Sequence, residues 1–308
     1  MTPCFAILMG SSLRRSYFRF LTTALLATCG LPASAQALLT AEQERQALIQ
    51  VLQKRFPGTG PADWQLGVEG LVAGAGTVVQ AIPFDSDNAT NSADILAIGK
   101  KRWERKFKDG KSFAHCFPNG GKRIAAAYPQ YDAKSKLVVT LEMALNRCLQ
   151  LHGEPEIEIG NLSAMGPLSA YARNLSEGQR IAVRVATPAA KAKFDAGKAL
   201  FSRRIGQSNY ACASCHVWQA GGVLGAPVPG MPAELKPAVI SPVVGQAAAW
   251  PRLQPGGTVR TLQMQFQQCM QRSGAEPFAL ASEEFNNLEY FHSYLSNGLP
   301  IRTLTTQR

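Results

Sequence analysis

Cys212-Ala213-Ser214-Cys215-His216 decides how the rest of the chain is read. Two cysteines two residues apart, followed at once by histidine, form the attachment pattern of a c-type haem. The chemistry requires that spacing. Both thiols add across the vinyl groups of the porphyrin, and the next residue puts an imidazole under the ring as an iron ligand. A zinc half-site would need a second ligand pair of suitable spacing, and the chain has none. A redox dithiol of the thioredoxin kind would need a β-α-β setting, which the flanking residues do not offer. The expected cofactor is one covalently bound c-type haem with its iron, held by Cys212, Cys215 and His216.

The residues on either side agree with that reading. Before the motif, 192–201 form an amphipathic helical pattern with Phe194, Gly197 and Phe201 near one face. Near the end, Phe285, Leu288, Phe291 and Leu295 fall at helical spacing. Ser282 is a suitable N-cap for that second helix and Asn297-Gly298 a suitable stop. In cytochrome c folds the first and last helices cross closely, glycine on one and an aromatic on the other. Gly197 with Tyr290 or Phe291 fits this. The stretch from Trp218 to Pro251 is rich in glycine and proline and is expected to be mostly loop, covering the haem and offering a partner surface.

An earlier segment carries a worn copy of the same plan. TLEMALNRC at 140–148 and TLQMQFQQC at 261–269 share threonine, leucine, methionine and cysteine at the same four places. Cys116 follows Gly99 at nearly the distance by which Cys215 follows Gly197. Phe117 stands where a haem-ligating histidine would be, and His115 lies on the wrong side of Cys116. The fold class expected is mainly α, with two tandem cytochrome c-like domains, the first without haem. The boundaries expected are a signal peptide at 1–37, a haem-free domain at 38–185 and a haem-binding domain at 186–308.

Composition sets the frame for these motifs. The 308 residues are 46% hydrophobic and 17% charged, which suits a packed core and excludes a disordered chain. The net charge of +11 suits an anionic substrate. The one concentrated basic run, Lys100 to Lys108, reads as a solvated helix face with Trp103 and Phe107 as two core anchors, not as a nucleic-acid site. Arg14, Arg15 and Arg19, the apolar stretch from Phe20 to Leu31, and Ala33-Ser34-Ala35 make up an export signal. Its apolar part is too short for a membrane span. Arg14-Arg15 also resembles a twin-arginine signal, and Leu26 to Cys29 a lipoprotein box that would anchor the chain at Cys29. Each of these places the protein outside the cytoplasm, in the periplasm.

Of seven cysteines, Cys4 and Cys29 leave with the signal. Five remain, an odd number, so at least one has a task other than an intramolecular disulfide. Without a haem, Cys116 and Cys148 would be free thiols in an oxidising compartment, where the simplest outcome is a disulfide between them. Candidates for the sixth iron ligand are Met231, Met264, Cys269, Met270 and His292. Methionine would give an ordinary electron carrier. A cysteine thiolate would hold the iron at low potential, and its sulfur could be carried as a persulfide. Spacing leaves Cys269 open between a ligand and an inert or intermolecularly paired cysteine.

From about Ile95 to Gly298 the chain resembles the SoxA family, the larger subunit of the SoxAX cytochrome complex of sulfur-oxidising bacteria. The resemblance is carried by GKKRWERKFKDGKSFAHCFPNGG at 99–121, YPQYD at 128–132, VVTLEMALNRC at 138–148, CASCHV at 212–217, FQQC at 266–269 and EPFALASEEFNNLEYFHSYLSNGL at 276–299. It is similar to the group with one haem and a disulfide in place of a second. The resemblance implies that Cys116 pairs with Cys148, that His216 is the proximal ligand, and that Cys269 is the distal ligand as a persulfide. It implies an L-cysteine S-thiosulfotransferase, which joins thiosulfate to a cysteine of the SoxYZ carrier and passes two electrons through haem to a SoxX subunit. Many relatives have two arginines just before the phenylalanine of the active segment, where this chain has Met264 and Gln265. Arg252, Arg260 or Arg272 could stand in to bind the sulfonate oxygens, with Arg260 preferred as the catalytic companion of Cys269. Two other readings compete: an electron-transfer cytochrome with methionine ligation, and a thiosulfate oxidoreductase that makes tetrathionate without a carrier.

Overall fold

A computed structural model describes residues 39–65, 88–224, 238–254 and 257–304. The export signal and Met231 lie outside the described residues. Helix α1 spans Ala41–Arg55 and begins with a capping box between Thr40 and Gln43. Helix α2 spans Asn88–Glu104, α3 Leu141–Leu151 and α4 Met165–Asn174. Helix α5 spans Pro188–Ser202, α6 Leu262–Arg272 and α7 Glu283–Leu295. Single helical turns lie at Pro61–Trp64 and Phe113–Cys116. Three short antiparallel strand pairs complete the order: β1 Gln130–Asp132 with β2 Leu137–Val139, β3 Val223–Leu224 with β4 Ala238–Val239, and β5 Arg252–Leu253 with β6 Val259–Arg260. The fold is mainly helical, and the described part of 218–251 is mostly loop.

The helices start where their caps dictate. The Thr187 hydroxyl accepts from Ala190 N–H at 3.1 Å with Pro188 at the first helical position, and Ser282 accepts from Phe285 N–H at 3.3 Å. Thr140 accepts from Met143 N–H at 3.3 Å to open α3. The matching residue of α6 uses its backbone instead, Thr261 N–H donating to the Met264 sulfur at 3.4 Å.

Two helix crossings organise the packing. At the α5–α7 crossing a Cβ on Gly197 would strike the Asn287 carbonyl and lie 3.0 Å from Phe291 Cβ. Phe291 packs against Phe194 and Phe201 with ring centres 5.2 and 5.3 Å apart. At the α2–α4 crossing a Cβ on Gly99 would strike the Pro167 carbonyl and lie 2.7 Å from Tyr171 Cβ. Each crossing is followed along the chain by a cysteine-bearing turn and a threonine-started helix with a cysteine near its end. The described residues form one compact unit, and one core runs through both sets of helices. Helix α1, which precedes α2 in the chain, leans on the later set. Arg45 donates to the carbonyls of Leu295 (3.3 Å) and Asn297 (2.8 Å), and buried Glu44 pairs with Lys191 (3.3 Å) and Lys198 (2.8 Å).

The basic run differs from the sequence expectation. The helix ends at Glu104, so Phe107 does not share a helical face with Trp103, although both are buried. The buried carboxylate of Glu154 draws the chain out of the helix. It accepts from Lys108 N–H at 2.8 Å and pairs with Arg105 at 3.0 Å. Phe107 N–H then donates to the Lys111 carbonyl, closing a turn with Gly110 at φ 79°.

A cavity of about 20 Å³, water-sized, lies among Glu142, Arg173, Trp250 and Glu289. Ser169 donates to Glu142 at 2.6 Å, and Arg173 donates to the Ala247 carbonyl at 2.9 Å. Burial, with the Glu142 charge second, pushes the Glu289 carboxyl up to about 8. The folded chain therefore keeps a proton that the unfolded chain releases above the usual carboxylate range. Stability contributed by this group is full at pH 4 and falls as pH rises from about 4.5 to 8.

Two predictions follow from this packing. Gly197→Ala and Gly99→Ala each lose about 1–3 kcal/mol or more in urea unfolding, whereas Gly60→Ala, with nothing within 4 Å of its added Cβ, stays close to wild type. Glu289→Gln raises Tm at pH 8 and leaves it little changed at pH 4, flattening the pH profile measured by circular dichroism.

Candidate haem and thiol site

The motif residues lie on a turn and a widened π-helical segment, Ser214–Trp218. Ser214 Oγ holds the start of the turn by accepting from Ala211 N–H at 3.1 Å. His216 is drawn inward, and its carbonyl accepts from Val243 N–H at 3.0 Å. His216 Nδ1 donates to the Ser241 carbonyl at 2.8 Å. That bond fixes the tautomer and leaves Nε2 with a free lone pair. Burial lowers the His216 pKa, so the ring is neutral near pH 7.

Gln246 braces this arrangement from the loop. Its Nε2 donates to the Ser241 carbonyl at 3.1 Å and to Ser241 Oγ at 2.5 Å. Its Oε1 accepts from His292 Nε2–H at 3.0 Å. Burial, aided by the charges of His216 and Arg252, lowers the His292 pKa to about 3, so this ring is neutral too. Neither Gln246 nor Ser241 stood out in the sequence. No local pattern marks them, since Gln246 lies 30 residues from His216 and 46 from His292.

Cys269 acts electrostatically on both thiols of the motif. Burial pushes the Cys212 thiol up to about 12, with the neighbouring charges of Cys269 and then Cys215 adding to the effect. Burial and Cys269 likewise raise Cys215. Cys269 keeps accessible surface, yet crowding by protein raises its pKa. A hydrogen bond from Gln265 and the charges of Arg272 and Arg260 pull it partly back. Gln265 Nε2 donates to Cys269 Sγ at 3.2 Å. Arg260 Nη1 donates to Gln265 Oε1 at 3.3 Å and to Gln268 Oε1 at 2.5 Å. A guanidinium therefore lies two hydrogen bonds from the sulfur. Met264 and Met270, by contrast, are buried in the core.

In the earlier set of helices Cys116 and Cys148 form a disulfide with Cα atoms 5.8 Å apart. These cysteines hold the places that Cys215 and Cys269 have in the later set. His115 accepts from Ser112 N–H at 3.2 Å and closes the turn that carries Cys116.

Two free thiols and a neutral imidazole with Nε2 left open are the donor set of a c-type haem. The residues present fit that group.

The SoxA/TsdA cytochrome c domain family matches residues 98–181. The L-cysteine S-thiosulfotransferase subunit SoxA of Chlorobaculum tepidum is 33% identical over 302 residues, covering 94% of this chain and 97% of that protein. The protein of the same name from Allochromatium vinosum is 30% identical over 287 residues, covering 91% and 95%. The chain belongs to the SoxA family. The crystal structure of SoxXA from P. pantotrophus shares the fold, with a TM-score of 0.60 at 22% identity over 71% of this chain and 80% of that one. The SoxA/TsdA match falls on the earlier helices, around the disulfide, and a cytochrome c domain implies a c-type haem in the protein. Among the described residues no helix is long and apolar enough to cross a membrane.

Gln246→Leu removes the brace on Ser241 and His292 together. It is expected to lower Tm, read by circular dichroism, through loss of buried hydrogen bonds worth about 1–3 kcal/mol.

Proposed function

We propose that this chain is the c-type cytochrome subunit of a periplasmic L-cysteine S-thiosulfotransferase. It carries one haem, bound covalently through Cys212 and Cys215 with His216 as the proximal ligand and Cys269 as the distal ligand. Residues 38–185 serve as a haem-free cytochrome c-like domain and 186–308 as the haem domain, after export by the signal at 1–37. The observation that carries this reading is that Cys269 lies near enough to both motif thiols, Cys212 and Cys215, to act on them electrostatically, and is itself held by Gln265 under the influence of Arg260 and Arg272. A methionine-ligated electron carrier finds no support among the described residues, where Met264 and Met270 are packed in the core; Met231 lies outside them.

The reaction joins the outer sulfur of thiosulfate to a cysteine thiol of the SoxYZ carrier. One S–H bond breaks and one S–S bond forms. The proton leaves to solvent and two electrons are released, for which a SoxX partner would be the acceptor. When bound, the haem supplies the exit for those electrons. Cys269 supplies the sulfur at which the partners meet, free or as a persulfide. Gln265 donates a hydrogen bond to that sulfur and stabilises negative charge on it. Arg260, freed from Gln265 and Gln268, can take the sulfonate oxygens in the role that relatives give to an arginine on the helix.

The test is an absorbance and paramagnetic-resonance spectrum of the haem in wild type and Cys269→Ala, with intact mass on the same samples. Thiolate-type ligation lost in the variant, together with loss of thiosulfate conjugation to carrier, is the expected result. Methionine-type ligation unchanged by the substitution would sink the mechanism. Arg260→Met is expected to raise KM for thiosulfate at least tenfold, the loss of about one charge-assisted hydrogen bond. Gln265→Arg should lower it.

A further inference from the structure

The β5–β6 hairpin pairs Arg252 with Arg260 and Leu253 with Val259. Residues directly opposite one another share a face, and like charges so placed repel. Leu253 and Val259 fill the buried face, packing with Ile95, Ala170 and Leu304. Gly166 on α4 allows this, since a Cβ there would strike the Val259 carbonyl. The earlier helices thus anchor the hairpin by its apolar face, and the two arginines occupy the other.

The arginines have different surroundings. Arg260 bonds to Gln265 and Gln268 on α6. Arg252 lies over the Trp250 ring at 4.9 Å. Among the described residues its guanidinium has no carboxylate and no hydrogen-bond acceptor. It keeps a strip of accessible surface, yet protein surrounds it closely enough that burial alone lowers its pKa to about 10. Its charge acts on both His216 and His292. A half-buried guanidinium without an anion is a place that a carboxylate completes by a charge-assisted hydrogen bond. The Trp250 ring beneath it packs with Leu262 and Phe266, and Phe266 meets the His292 ring at 5.7 Å, so Arg252 stands at the edge of the site formed by α6 and α7; a haem held there would bring two carboxylates.

We propose that Arg252 is the binding residue for a haem propionate, held in place by the Trp250 ring and by a hairpin anchored on the haem-free helices. This rests on the reading of Cys212, Cys215 and His216 as the haem site. The bond is a charge-assisted one from guanidinium to carboxylate, for which arginine's planar fork is better suited than lysine. In the pair the guanidinium offsets the negative charge of the carboxylate.

The test uses the full exported chain, wild type, Arg252→Gln and Arg252→Lys, each checked for folding by circular dichroism and for covalent haem by absorbance. Wild type without haem would overturn the haem reading itself. With haem present, resonance Raman should show the propionate bending mode shifted in Arg252→Gln, and shifted less in Arg252→Lys. The midpoint potential should fall in Arg252→Gln, because loss of a positive charge favours the ferric state. An unshifted mode in a folded, haem-containing Arg252→Gln overturns the proposal, as does a wild-type mode joined to a raised KM for thiosulfate, which would assign Arg252 to the substrate. If Arg252→Gln does not fold, the mode in Arg252→Lys decides: shifted supports the pair, and identical to wild type overturns it.

Discussion

Two helices can meet backbone to backbone only where one of them has no side chain. Gly197 meets that requirement against Asn287 and Phe291, and Gly99 meets it against Pro167 and Tyr171. The remaining packing depends on these contacts. The first brings the phenylalanines of α5 and α7 together and fixes where the haem-motif turn leaves α5. The second sets Trp103 between Phe113 and Phe117, with ring centres 5.5 and 5.6 Å away, and so fixes the turn that carries Cys116. A methyl group at either glycine would push the helices apart and move a cysteine with them.

The two sets of helices use matching cysteines for different cross-links. In the earlier set the sulfurs join each other across 32 residues, a closure worth on the order of 3–4 kcal/mol in the chain-entropy description. In the later set the corresponding cysteines remain apart, and a histidine stands where the earlier set has Phe117. A disulfide needs only two thiols in register. A haem site also needs an imidazole of defined tautomer, and the loop supplies that through Ser241 and Gln246. The earlier helices have become a support: their Gly166 face seats the hairpin that bears Arg252 and Arg260.

Electrostatics around Cys269 is balanced between opposing effects. Burial favours the neutral thiol, while Gln265, Arg272 and Arg260 favour the thiolate. Gln265 is one turn before Cys269 on α6, so its amide reaches the sulfur directly. An amide there donates a hydrogen bond without adding a charge. The positive charge is instead set back on the hairpin, with Arg260 reaching the sulfur through Gln265.

Features written in neighbouring residues were legible in the sequence. The Cys212 to His216 motif, the glycine-and-aromatic stripes, the cap at Ser282, and the paired TLxMxxxxC frames all depend on spacing along one helix or turn. Their physics is local, so their order in the chain is enough. The sequence also singled out Arg260 among several arginines, without being able to place it. Tertiary structure decided the features that depend on distant residues: the helix end at Glu104 enforced by Glu154, the Gln246 brace between two histidines, and the hairpin register that sets Arg252 opposite Arg260. A buried charge or a bound tautomer depends on which distant atoms close around it, and the order of residues along the chain does not encode that closure locally.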